Sequence, residues 1–463
     1  MVLLNVLLIT LMVLLGVFFD RSFVYLLFVY LCIRKLTNTK TGIKNNVMVL
    51  AIYSMIVPDN YMTEFFLIIL FMVLLLKKEQ MLRKQRLPGL LVLLLIGCAG
   101  VSIIINNVPV VNIAFSLITF MPLIILLFVV SNMEIFNVSI DEQQLDEILF
   151  IETIATVFNY IHFWGTSTDA WSCGTFSDKG GEQAQLLVLL GMLFFVFYDM
   201  YKKGRGKINL YKCVICIVVI CSTFSWALTI VFFSAVLYCM LDDFDKKKDN
   251  TNGMISIICT VLCSALMMIQ LMPDFIRDSL IKLLTDQSFL EYRFYKLMVY
   301  KYTFIDIPMD DNIFGIVGNG VGYYCSRAAL ICSGQYVDFY NKLFTPSISY
   351  NTNEYLMHYL SNAHAMGSSD YGSVLARPYS SILSLMGELG LSGVVIFLVW
   401  CHSVFKERRV VSKAIIIFWI GVCFFENYFE YSKVILCLLA CLIITSKEIS
   451  NDVANRDKGN CVF

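Results

Sequence analysis

Long apolar runs separated by short polar turns fill most of this chain, and their lengths set the first expectation. A membrane-crossing helix needs about 20 apolar residues. On that ruler fourteen runs stand out, near 2–19, 22–34, 46–58, 60–76, 88–105, 109–130, 145–164, 183–201, 208–223, 225–241, 254–273, 380–404, 411–427 and 431–446. The pattern predicts an all-α polytopic integral membrane protein with about 14 transmembrane helices. Eleven fall within residues 1–273, with a short outer loop at 165–182, and three within 380–446, ahead of a tail at 447–463. Residues 274–379 hold no membrane-length apolar run. Loops of that length are uncommon and are usually either functional or disordered. This one is rich in aromatics and nearly charge-balanced, unlike disordered chain, so it is expected to fold. Within 275–304, Phe275, Leu280, Leu283, Leu290, Phe294 and Leu297 recur at helical spacing among basic residues, which predicts a helix lying in the membrane interface. Ile313 to Gly322 is too rich in glycine for a helix and predicts a tight turn or a close backbone approach.

Charge gives the runs a direction, because cytoplasmic loops collect Lys and Arg. Basic clusters occur at Arg34, Lys35, Lys40 and Lys44, at Lys77 to Arg86, at Lys202 to Lys207, at Lys246 to Lys248, and at Lys406 to Arg409. With both termini cytoplasmic, all of them fall on the cytoplasmic side and residues 274–379 lie outside. The 131–144 turn is the exception, assigned to the basic side yet carrying Glu134, Asp141 and Glu142. The N-terminal run lacks a basic lead-in and a small-residue cleavage site, so it reads as a retained first helix.

Composition agrees with a membrane protein. The 463 residues are 58% hydrophobic and 15% charged, against roughly half and a quarter in a soluble domain. A net charge of zero supplies no basic field for nucleic acid. Most of the 16 cysteines sit inside apolar runs as small hydrophobes, while Cys325 and Cys332 form a candidate pair on the outer loop. No zinc-type spacing occurs, and neither a metal nor a cofactor is expected. The glycines at 315, 318, 320 and 322 have neither the strand and helix of a dinucleotide-binding unit nor the Lys-Ser/Thr pair of a P-loop.

Three patches carry a resemblance. The run from Tyr379 through Glu388 and Gly390 to Gly393 resembles the segment that re-enters the membrane after the large periplasmic loop in the O-antigen polymerase and ligase superfamily. Asn312 to Gly322, with Gly318, Gly320 and Gly322, looks like that superfamily's glycine turn, and Arg293 matches the arginine that precedes it. Cys173 to Phe176 looks like the family's G-x-F element. Ligases of this superfamily usually open the re-entry motif with histidine, where Tyr379 and Ser380 stand here. The arginine of the family's T-x-S-R element is replaced by Trp226. These departures favour the polymerase over the ligase.

The resemblance implies an oligosaccharide repeat-unit polymerase in the bacterial cytoplasmic (inner) membrane. It would move glycan from one polyprenyl diphosphate to the terminal sugar of another lipid-linked repeat unit. Its expected partners are those donors and acceptors, membrane lipids and a chain-length regulator protein. Arginine suits a departing diphosphate because its planar fork binds phosphate oxygens in pairs. The candidate catalytic residues are Arg377, at the edge of the re-entry helix, Arg293, and His364 as general base. Arg327, Tyr379, Gly318, Gly320, Gly322 and Glu388 are the substrate-binding candidates. The competing readings are a ligase with the same donor, a lipid-linked oligosaccharide flippase, and a scaffold protein. The bland alternatives for these residues are interfacial anchoring for Arg377, a solvated helix face for Arg293 and a structural hydrogen bond for His364.

Overall fold

The computed structural model describes residues 2–38, 42–75, 87–132, 140–163, 172–176, 182–245, 285, 295–334, 343–356, 380–406 and 408–446. Helix accounts for 83% of them, and no strand occurs among them. A helix lies over each apolar run named above except 254–273, which lies outside the described residues. In chain order the long elements are α1 (Val2–Phe18), α2 (Ser22–Asn38), α3 (Ile43–Ser54), α4 (Asn60–Leu75), α5 (Leu87–Ile105), α6 (Val110–Thr119), α7 (Met121–Ser131) and α8 (Glu142–His162). They continue with α9 (Glu182–Lys202), α10 (Ile208–Ser222) and α11 (Trp226–Asp245). Among the described residues three helices are long and apolar enough to cross a membrane: α5, α9, and a 26-residue helix over Ser381–Lys406. The pair α6 and α7, bent by 52°, makes a fourth if it is one span. The bend falls beside Pro122, which cannot donate to the turn before it.

Two helices form the centre. Residues 185–198 of α9 are buried on every side, as are nearly all residues of the helix over Ser432–Ser446. A helix that is apolar all round belongs inside a bundle. The two pack on each other, and α9 also packs on α10 and on the helix over Val410–Phe425. Where α9 meets that helix, Gly191 leaves room for the Phe418 ring, which joins Phe194, Phe195 and Phe232 in an aromatic cluster with centroids 5.2–6.2 Å apart. By contrast, α5 exposes Leu90, Leu93, Leu94, Ile96, Val101 and Ile104 at the perimeter, a surface suited to lipid.

One end of the bundle is held by charge. Lys35 pairs with Asp141, Arg205 with Glu142, and Lys212 with Asp146 at 2.6 Å, while Arg34 and Tyr53 both engage Glu147. The acidic start of α8 therefore meets the basic end of α2 and the basic α9–α10 turn, which explains the exception in the charge pattern. Burial pushes the Asp141 carboxyl up, but hydrogen bonds from Lys35 and the Gln143 amide outweigh it and hold the group below its ordinary value. Asp141 also caps α8. Asp141→Ala is expected to lower stability by about 1 kcal/mol, read from denaturation in detergent.

The described parts of the large loop lie at the opposite end. They comprise α12 (Tyr295–Lys301) with a π-helical turn over Tyr302–Asp306, then α13 (Ile307–Asp310), α14 (Asn312–Val317), α15 (Arg327–Cys332) and α16 (Tyr350–Tyr355). After them come α17 (Ser381–Lys406), α18 (Val410–Phe425) and α19 (Ser432–Ser446). The expectation of a turn throughout 313–322 needs correction. Residues Asn312–Val317 are helical because Asp311 caps them, accepting from the Ile313 and Phe314 amides at 2.9 and 3.1 Å. Only Gly318 onward turns. Of the interfacial helix expected over 275–304, the stretch from Tyr295 is helical, and the rest falls outside the described residues save Thr285. Cys325 and Cys332 are thiols, not a disulfide.

Candidate functional site

Two glycines far apart in sequence touch back to back. Gly318 (φ 75°, ψ −172°) and Gly390 (φ 65°, ψ −168°) adopt the same backbone conformation, one that residues with a Cβ essentially never adopt. A Cβ on Gly318 would lie 2.6 Å from the Glu388 carbonyl oxygen and the Leu389 amide. One on Gly390 would lie 2.5 Å from the Val317 amide. The glycine turn thus packs directly on a break in α17, backbone against backbone.

Hydrogen bonds lock this contact. Asn319 N donates to Gly387 O at 2.8 Å, and Gly320 N to Glu388 O at 3.2 Å. The Ser102 hydroxyl of α5 points at the carbonyls of Val317 (2.7 Å) and Glu388 (2.8 Å). Asn106 donates to Gly318 O at 3.0 Å, and Asn112 to Gly322 O at 2.7 Å. Gly320 and Gly322 pack against Val108 and against Asn112 with Ser116, so the turn is wedged between α17 and the α5–α6 junction. These glycines allow close packing, and the amides of Asn319 and Gly320 are spent on the protein itself.

Glu388, just before the break, is 1% exposed. Among the described residues neither of its carboxylate oxygens reaches hydrogen-bond geometry with a protein group; the Ser326 hydroxyl and the Gly322 and Tyr324 amides face it, and it lies in the field of the Glu430 carboxylate. Glu388 is therefore sealed beneath the loop. Arg327 has the opposite setting. It opens α15, half-buried, with its backbone N–H donating to Glu430 at 2.8 Å. Its guanidinium lies over the Tyr431 ring, 5.9 Å from the centroid, in the field of Glu430 and Glu64. Burial pushes the Glu430 carboxyl up, opposed by the Arg327 amide and Asn427.

A second, shorter segment docks nearby. Residues 172–176 are buried. Glu152 of α8 accepts from Thr175 N at 2.9 Å, and Arg21 and Asn159 donate to Gly174 O at 3.2 and 2.5 Å. Lys433, only 1% exposed, donates to Pro58 O at 2.9 Å and lies 4.3 Å from the Phe176 ring centroid, in the field of Glu152. One turn, Asn427 to Lys433, therefore holds both segments, through Glu430 and through Lys433.

Of the residues expected from sequence, Gly318, Gly320, Gly322, Glu388 and Arg327 gather here. Arg293, His364, Arg377 and Tyr379 lie outside the described residues. Sequence reasoning missed Glu430, Lys433, Glu152, Arg21, Ser102, Asn112 and Asn319. A usable signal existed for the first three, since ionisable residues within or at the ends of apolar runs are functional suspects. Among the described residues no group of three His, Cys, Asp or Glu is placed to hold a metal ion. Comparison with family models, curated proteins and solved structures finds no match for the chain.

Proposed function

We propose that the protein is a membrane glycosyltransferase that polymerises polyprenyl-diphosphate-linked oligosaccharide repeat units into a surface polysaccharide. One observation carries this reading. The glycine turn, the re-entry helix and the G-x-F element, the three patches of the resemblance, converge at the end of the bundle opposite Arg34, Lys35 and Arg205, and the Asn427–Lys433 turn joins them. Arg327 stands there at the level where α18 ends and α19 begins, the depth at which a lipid diphosphate would sit.

In the transfer, an acceptor hydroxyl oxygen bonds to the anomeric carbon. The bond from that carbon to the diphosphate oxygen breaks, its electron pair leaving with the diphosphate, and the hydroxyl proton passes to a base. Arg327, and with it Arg377 and Arg293, would stabilise the departing charge; His364 would take the proton. The glycines and the Glu388 backbone carbonyl serve by holding the loop on the helices, while Tyr379 would bind the substrate.

The test is turnover of a synthetic polyprenyl-diphosphate repeat unit by the purified protein, with products separated on a gel. A ladder of multiples is expected, slowed about 100-fold in Arg327→Ala at equal folded yield. No ladder from a matched repeat unit, with translocation of a fluorescent lipid-linked glycan in liposomes instead, would replace the polymerase with a flippase.

A further inference from the structure

The outer face of the loop carries a feature that the diphosphate chemistry leaves unused. The π-helical turn Tyr302–Asp306, the short helix α13 that follows it and the helix α16 bring three tyrosines and three carboxylates together. The rings of Tyr302 and Tyr355 lie 5.4 Å apart between centroids, tilted by 47°. Both lean on a small apolar cluster that includes Val299, Ile307, Phe314, Tyr324 and Leu356. Tyr350, at the start of α16, is 76% exposed. The Tyr355 phenol lies in the field of Asp310, Tyr350, Glu354 and Asp306. Asp310 and Glu354 are exposed, and Asp306 pairs with Lys301 at 3.5 Å.

The glycine contact fixes both halves of this surface. Asn319, whose amide is tied to α17, donates to Ser349 and accepts from Asn351, each at 3.0 Å. Thr352 donates to Tyr323 O at 2.5 Å. On the other side, Thr303 and the Tyr324 hydroxyl share a hydrogen bond of 2.6 Å. The rings are therefore held before any ligand arrives, which lowers the ordering cost of binding.

The chemistry selects the ligand. Three carboxylates beside Lys301 repel phosphate and acidic glycans. The negative faces of tyrosine rings attract positively polarised C–H groups, and carboxylates accept hydrogen bonds from hydroxyls and amines. A molecule that offers a C–H face rimmed by donors is a neutral or amino sugar. We infer that Tyr302, Tyr350 and Tyr355, with Asp306, Asp310 and Glu354, form a saccharide-binding platform. That the bound glycan is the transferase's own substrate rests on the proposed function; that the platform binds sugar does not.

Saturation-transfer NMR on the full chain in nanodiscs tests it, with methyl β-glucoside, methyl β-galactoside, N-acetylglucosamine and glucosamine as probes and choline as competitor. At least one sugar is expected to bind, with Tyr302→Ala and Tyr355→Ala each weakening it about tenfold, the scale of one aromatic contact. Tyr61→Ala, which removes a tyrosine that is 70% exposed on α4, should leave binding unchanged. Asp310→Asn and Glu354→Gln, which leave the packing alone, should also weaken it. Binding of no sugar, binding undiminished by these changes, or binding of choline alone would overturn the platform. Sugar binding by a protein that makes no ladder would support the platform and count against the polymerase. A ladder unchanged in Tyr302→Ala/Tyr355→Ala would remove the platform from the reaction.

Discussion

Gly390→Ala is expected to cost about 4 kcal/mol and to release the glycine turn at Gly318 from the helix bundle. Two effects add. The backbone at Gly390 lies in a region almost exclusive to glycine, and a side chain there costs roughly 1–3 kcal/mol in strain. The new methyl would also meet the Val317 amide and the Ile316 carbonyl, which are main-chain atoms and cannot rotate aside. Overpacking of this kind costs about 1–3 kcal/mol more. Set against a total stability of about 5–15 kcal/mol, the loss is large. Gly97→Ala is the control, since a Cβ there meets nothing within 4 Å and alanine favours the helix. Thermal unfolding in detergent should separate the two variants clearly. If Gly390→Ala melted with the wild type, the back-to-back contact would not exist.

Lys433→Met comes next, at about 3–5 kcal/mol. The ammonium is buried in the first turn of α19, where it holds the Pro58 carbonyl, covers the Phe176 ring and faces Glu152. Methionine fills much the same volume, so packing survives while the buried Glu152 carboxylate loses one of the two cations in its field and keeps only Arg21. Glu152→Gln in the Lys433→Met background should recover most of the loss, because both charges are then gone. A double-mutant cycle by denaturation in detergent measures the coupling, and additive effects would show that the two side chains act independently.

The helices were legible because apolar runs of the right length have few other uses. Which of them sit at the centre was not. Leu186 to Tyr198 in α9 and Leu90 to Ile105 in α5 look alike as sequence, yet one is enclosed by protein and the other faces outward. Glycine spacing announced a close approach at Gly318 to Gly322, and Gly390 stood in a recognised motif. That the two meet is a tertiary fact that no local pattern contains. The helix Asn312–Val317 was hidden by Gly315, whose weak propensity was outweighed by the Asp311 cap and by packing on Pro308. Glu430 and Lys433 escaped notice because they stand in or beside a short connection between two apolar runs, which reads as an ordinary turn. Arg327 and Glu388 were found from the motifs, but their opposite settings, half-buried and sealed, depend on how the loop folds back.

The position of α19 also bears on how the molecule is made. Chains are synthesised from the N-terminus, and early segments fold while later ones are still being added. Here α19 follows every other described helix in the chain, yet it occupies the interior between α9, α4 and α7. Its first turn supplies Lys433, and the residues just before it supply Glu430. Until that segment leaves the ribosome, Glu152 has only Arg21 in its field, the α15 amide lacks its acceptor, and the helices already made surround an unfilled space. Completion of the bundle and seating of both docked segments are therefore one late event, so a nascent chain stopped before Asn427 should be recognised by proteases as unfinished.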